Sequence, residues 1–164
     1  MALDLAKYRK LFLEEAAEQL SEISGALLGL EKDPEAAASI DVIFRMAHSI
    51  KSMAASLGYD SIAELAHALE DRMEGVRTRG RVADGAELAA LFQGLEGLEA
   101  MVAVVGQTGE APQSRPELAT SVRTGSRVSS RLKKKLRRSL NRPPMPSPRQ
   151  FRASSLRYAS APKP

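Results

Sequence analysis

Apolar residues recur every three or four positions along most of the first 105 residues. That is the spacing of an amphipathic helix, and no stretch alternates with period two for long enough to read as a strand. The first stripe is Tyr8, Leu11, Phe12, Ala16, Leu20, Ile23, Leu27 and Leu30, with Asp4 placed to cap its start. It breaks at EKDPE, where Asp33 can cap the next helix with Pro34 in the first turn. The second stripe is Ile40, Ile43, Phe44, Ala47, Ile50, Ala54 and Leu57, and it stops at Gly58, a residue suited to the left-handed position that ends helices. The third (Ile62, Leu65, Ala66, Leu69, Met73, Val76) opens on Ser61 and Glu64 at capping-box spacing and stops at Gly80. The fourth (Leu88, Leu91, Phe92, Leu95, Leu98, Val102, Val105) opens on Asp84 and Glu87. Four amphipathic helices with short links predict an all-α fold, an antiparallel four-helix bundle over residues 1–106.

Charge divides the chain differently from its average. Residues 1–111 carry 10 Lys and Arg against 19 Asp and Glu, a net of −9, whereas residues 112–164 carry 14 against 1, a net of +13. The formal total of +4 therefore describes neither part. Residues 107–164 read as a basic Pro/Ser/Arg-rich tail, largely disordered, with SRVSSRLKKKLRRSLNR as a stretch that could become helical on a partner. Four readings of the tail stand side by side: a solvated appendage, a contact for nucleic acid or an anionic membrane, a segment docked on the acidic bundle, or the product of a shifted reading frame. The chain has no cysteine, so disulfides, cysteine metal sites and cysteine nucleophiles are excluded. No run approaches the roughly 18 apolar residues of a membrane span, and the N-terminus lacks an apolar signal core. These features predict a cytoplasmic protein.

The chain's two histidines, His48 and His67, fall within 20 residues of each other, each in an apolar helical pattern. His48 and Lys51 are three apart and share a helix face; so do His67 and Glu70, with Asp71 four residues after His67. Folding the two helices back at Gly58 brings the histidines to a similar height, with Glu70 within one turn. The bland reading is a half-buried helix histidine with a satisfied hydrogen bond, but the gathered charges favour chemistry. A histidine can act as a covalent nucleophile. A carboxylate that holds the Nδ1 proton leaves the Nε2 lone pair outward, a role for which Glu70 is the first choice and His67 the second. Lys51 can neutralise an incoming phosphoryl group, and phosphoryl transfer mainly needs positioning and charge stabilisation. A metal site built on His48, His67 and Glu70 lacks the helical His-Glu-x-x-His spacing, and Lys51 would repel a cation, so no metal is expected.

The stretch IFRMAHSIKSMAASLGYDSIAELAHALED closely resembles the histidine phosphotransfer (HPt) domain of the chemotaxis histidine kinase CheA. The likeness rests on Phe44, Arg45, Ala47, His48, Ser49, Ile50, Lys51 and Ser52, then Gly58 and Tyr59, then Leu65, His67 and Glu70, and it extends over about residues 4–105. The resemblance implies a phosphorelay. His48 would take the γ-phosphoryl group of ATP from a kinase catalytic domain in trans and pass it to an aspartate on a response-regulator receiver domain of the CheY or CheB type. Glu70 would hold the tautomer of His48, and Lys51 and His67 would complete the hydrogen-bonding set. No cofactor would be bound by this chain, with ATP and Mg²⁺ used by partner domains.

Two departures from the family pattern matter. Ser52 stands where glycine is common, and the fifth helix usual in the family is not evident after Gly106. The chain also lacks a Gly-rich phosphate loop or other ATP-binding motif, so the expectation is a carrier acting in trans or a piece of a longer or frameshifted kinase. The competing reading, from a different class, is a non-catalytic helical interaction module whose basic tail binds nucleic acid or an anionic surface. The grouping of Lys51 and Glu70 around His48 discriminates against it, because a pure binding module has no use for that set.

Overall fold

The apolar stripes become five helices in the computed structural model, which describes residues 4–125: α1 (Leu5–Lys32), α2 (Ala37–Ser56), α3 (Asp60–Arg79), α4 (Gly85–Thr108) and α5 (Pro116–Thr124). Their inward faces form one hydrophobic core, from Phe12 and Ile23 on α1 through Ile43 and Ile50 on α2 to Leu65 and Leu69 on α3 and Leu91 and Leu98 on α4. Helices α1 to α4 form the bundle. By length and composition α4 is the one described helix that could cross a membrane, but half of that stretch is buried in the bundle. Its apolarity is used for packing.

Helix starts and stops follow the sequence signals in part. Asp4 accepts a hydrogen bond from the Lys7 N–H at 3.2 Å, and Asp84 accepts one from the Glu87 N–H at 2.8 Å. Gly58 and Gly80 take the left-handed conformation, with φ of +77° and +79°. Two caps differ from expectation. Asp33 does not cap α2, which starts at Ala37 without a side-chain cap; its carboxylate accepts from the Glu35 N–H at 3.0 Å, inside the turn itself. Ser61 and Glu64 form no capping box, because the Ser61 hydroxyl donates to the Pro112 carbonyl at 2.7 Å and Glu64 accepts from Ser114. Both side chains are drawn to the segment that follows α4. Tyr8 and Leu11, expected in the first stripe, are 47% and 54% exposed, since they lie off the face that Phe12 and Ala16 bury.

The boundary expected at residue 106 is also corrected. Helix α4 continues to Thr108, and α5 returns along α3 and α4 with Ala119 and Val122 buried. Full burial of a valine contributes about 1.5–3 kcal/mol toward seating this short helix. Glycines make the approach possible. A Cβ on Gly94 would lie 3.1 Å from Val122, and one on Gly97 would overlap Leu118 and stand 2.9 Å from Leu65. The periodic signal for α5 is only Leu118, Ala119 and Val122, too short to stand out between Pro112, Pro116 and the basic run. The tail from residue 126 onward, with its expected disorder and its nucleic-acid or membrane contact, lies outside the described residues.

A buried carboxylate ties these helices together. Glu87 on α4 is 1% exposed and pairs with Arg72 and, at 2.6 Å, with Arg79, both from α3. Its Oε2 also accepts the Ala83 N–H at 2.6 Å, so the charge is well compensated.

Gly97→Ala tests whether α5 is seated as described. The added methyl should lower stability by about 1–3 kcal/mol through overpacking, outweighing the ~1 kcal/mol that alanine gains over glycine as a helix former. The measurement is the urea midpoint; an unchanged or raised midpoint would mean that α5 does not occupy this groove.

Candidate functional site

Helices α2 and α3 are joined by the short turn at Gly58 and run antiparallel, so residues equidistant from the turn face each other. This places Glu70 of α3 opposite His48 of α2. Glu70 Oε1 lies 2.7 Å from His48 Nδ1, and Oε2 lies 2.5 Å from Lys51 Nζ, one turn further along α2. The Lys51 contact is a short ion pair whose alignment does not make a regular hydrogen bond. Exposure grades across the trio: the His48 side chain is 57% accessible, Lys51 27% and Glu70 13%. The carboxylate sits at the bottom and the imidazole at the surface.

Electrostatics follow from that gradient. Burial by itself would raise the Glu70 carboxyl, but the contacts from Lys51 and His48 and the charges they bring outweigh it, and hold it below the usual glutamate value. Glu70 is therefore an anion at neutral pH and can only accept. The proton between it and His48 must then sit on Nδ1, so Nδ1–H donates to Oε1. In the neutral ring the lone pair then lies on Nε2, and the carboxylate is engaged by the other nitrogen. The arrangement yields an imidazole oriented through Nδ1, on a side chain that is more than half exposed.

Neighbouring polar groups are turned away from Nε2. The Ser52 hydroxyl donates to the His48 carbonyl at 3.0 Å, so the serine that replaces a common glycine folds back on its own helix. Ser49 accepts from Gln19 of α1 at 2.9 Å. Arg45, one turn before His48, pairs with Asp41 at 3.0 Å.

The fourth expected member is placed differently. His67 shares the Glu70 face of α3, but its Nε2 pairs with Asp71 Oδ1 at 3.3 Å rather than with the His48–Glu70–Lys51 trio. The structure thus joins three of the four candidates directly and gives His67 its own carboxylate. Gln19 and Arg123, which touch this region from α1 and α5, were not evident from sequence. Gln19 lies in a run of glutamates with no marking signal, and Arg123 falls among the basic residues of the expected tail. No group of three or more His, Asp or Glu side chains is gathered for a metal among the described residues.

The lowered Glu70 has a consequence for stability against pH. A carboxyl whose folded value lies below its unfolded value contributes stability that is present above the unfolded value and lost as pH falls through the folded one. The unfolded value is about 4.3. Stability of the wild type should therefore decline below that pH, and Glu70→Gln should remove part of the decline. Urea midpoints between neutral pH and the acid limb would show it; parallel curves for the two proteins would contradict the ion-paired carboxylate.

Comparison with known proteins gives a consistent answer. The chain is 31% identical to chemotaxis protein CheA of Halobacterium salinarum over 116 residues, covering 71% of this chain and 17% of that one. It is 35% identical to CheA of Bacillus subtilis over 94 residues, 57% of this chain and 14% of that one. It thus spans less than a fifth of the length of these curated relatives. Among solved structures, the phosphorylated P1 domain of CheA3 in complex with CheY6 from R. sphaeroides superposes with a TM-score of 0.66 at 25% identity, over 72% of this chain and 94% of that one. The solution structure of a histidine phosphotransfer domain of CheA gives the same TM-score at 26% identity, over 76% and 95%. The family model described as "Hpt domain" matches residues 7–108, a span that takes in all four helices of the bundle and the Glu70–His48 contact, and by that match the chain belongs to the Hpt domain family.

Proposed function

We propose that this domain carries a phosphoryl group on His48 Nε2 in a chemotaxis-type phosphorelay. The observation that supports the reading most is the 2.7 Å contact from His48 Nδ1 to an ionised, largely buried Glu70, which leaves Nε2 as an exposed nucleophile. The Nε2 lone pair attacks the γ-phosphorus of ATP held by a separate kinase domain. The N–P bond forms, the bridging P–O bond breaks and ADP leaves. The ring then carries a positive charge, which the Glu70 carboxylate offsets through Nδ1–H. In the second step a receiver-domain aspartate attacks phosphorus, the N–P bond breaks, and the ring returns to neutral with its Nδ1 proton in place. No proton has to leave Nδ1 at any stage.

Lys51 is positioned by Glu70 as a point charge within reach of the phosphoryl oxygens. His67, one turn before Glu70, offers a further ring nitrogen on the same face. On this reading ATP and Mg²⁺ belong to the partner kinase domain, and the second partner is a response regulator, as in the CheA3–CheY6 complex among the structural neighbours. A soluble, cytoplasmic location belongs to the same proposal.

The test is to offer labelled phosphate from two donors, the kinase domain of a CheA with ATP and a small phosphoramidate that needs no protein recognition. Acid-labile, base-stable label is expected on the wild type and none on His48→Gln. Glu70→Gln should slow uptake about tenfold to a hundredfold, the loss of one hydrogen bond to a charged group of about 1.5–3 kcal/mol. Equal labelling of His48→Gln and wild type, or no label on the folded wild type from either donor, would end this reading.

A further inference from the structure

The relay set described above leaves unexplained why Asp71 and α5 are tied to its edge. Asp71 is held from two sides. One oxygen, Oδ1, meets His67 Nε2 at 3.3 Å; the other, Oδ2, meets Arg123 Nε of α5 at 3.2 Å. Arg123 is itself fixed, since its backbone carbonyl accepts from Arg72 Nη1 at 3.2 Å, and Arg72 is ion-paired with the buried Glu87. An ordered chain of contacts therefore runs from the interior of α4, through α3 and α5, to the ring of His67.

We propose that Asp71 and Arg123 are positioning residues for transfer at His48, acting through His67. This deepens the phosphoryl-carrier reading and rests on it. An imidazole half exposed on a helix has free rotation and two usable nitrogens. A carboxylate four residues on can engage one nitrogen but can itself swing. Arg123 removes that freedom by holding the second oxygen from another helix. With Nε2 facing Asp71 Oδ1 at 3.3 Å, Nδ1 is the ring's other polar atom. The ring thereby meets a hydrogen-bond donor on a docking partner with one defined acceptor atom, one turn from Glu70.

A merely stabilising role fits the chain poorly. The Asp71, His67 and Arg123 side chains are 48%, 50% and 40% exposed, and exposed ion pairs contribute little to stability. The same exposure means that variants at these positions keep the fold.

The experiment uses the full chain in two arms. Nitrogen-15 NMR of the unphosphorylated protein reads the tautomer of His67. Its Nε2–H form should dominate in the wild type, fade in Asp71→Ala, weaken in Arg123→Ala and recover in Arg123→Lys. Transfer from phosphorylated protein to a CheY-type receiver should slow about twofold to fivefold in Asp71→Ala, the scale of an exposed ion pair. No further slowing should appear when Asp71→Ala is added to His67→Gln. A His67 tautomer indifferent to Asp71 and Arg123 overturns the proposal. So does a changed tautomer with unchanged transfer, or an Asp71→Ala effect that persists in full without His67. His48→Gln protein that still takes up phosphate would instead sink the carrier reading, and the NMR arm would by itself retain or reject the Asp71–His67 coupling.

Discussion

An ionised carboxylate held largely out of water has to find donors, and Glu70 finds them only on the neighbouring helix. Burial alone favours its protonated form, so the anion persists because α2 brings His48 and Lys51 to within 2.7 and 2.5 Å of its two oxygens. That requirement fixes the height of α2 against α3. A shift of one residue along either helix would rotate the donors by 100° and break both contacts at once. The turn at Gly58, with φ of +77°, holds the two helices in that register, and Tyr59 beside it packs on Phe12 of α1 with ring centroids 5.3 Å apart. The tautomer of His48, and with it the reactivity of Nε2, is a consequence of this helix alignment rather than a property of the histidine.

Glu87 solves the same problem in the opposite way. It is almost inaccessible, accepts from Arg79 and a backbone amide, and is ion-paired with Arg72 as well, so its partners are numerous. Glu70 has two partners, the Nδ1–H of His48 and the ion-paired ammonium of Lys51. A carboxylate with surplus donors would respond weakly to that change, since its negative charge would already be neutralised. The sparse coordination of Glu70 suits the proposed role, in which it offsets a charge that appears only after phosphorylation. The dense coordination of Glu87 suits a fixed junction, and α5 hangs from it through Arg72.

How far the sequence could be read follows from what each residue interacts with. Helix stripes, Gly58 and the 48–51–70 grouping depend on spacing within one helix or across one tight turn, and spacing is written in the sequence. Asp33, Ser61 and Glu64 depart from the expected caps for two reasons: Asp33 is taken by the Glu35 amide two residues on, and the other two by the α4–α5 segment. Helix α5 was missed for a related reason. Its three apolar residues have meaning only against Gly94 and Gly97, and a glycine carries no periodic signal of the groove it opens. His67 pairs with Asp71, and its sequence position could not show this, since Asp71 and Glu70 are both within reach of position 67 and only the ring's orientation separates them.

Where the chemistry sits relative to the core also determines how freely it can change. Glu70 and Lys51 are tied into helix packing, so their substitution disturbs alignment as well as charge. His48, His67, Asp71 and Arg123 are 40% exposed or more, and water screens what they exchange. Their contacts are too weak to hold helices together and strong enough to choose a rotamer or tautomer. The domain therefore has a rigid layer, anchored by Glu87 and the glycine-lined groove, that fixes backbones, and an outer layer that sets ring orientations at little energetic consequence for folding. On the proposed carrier reading that division is useful, because a surface that meets partners can be tuned without loosening the bundle that presents it.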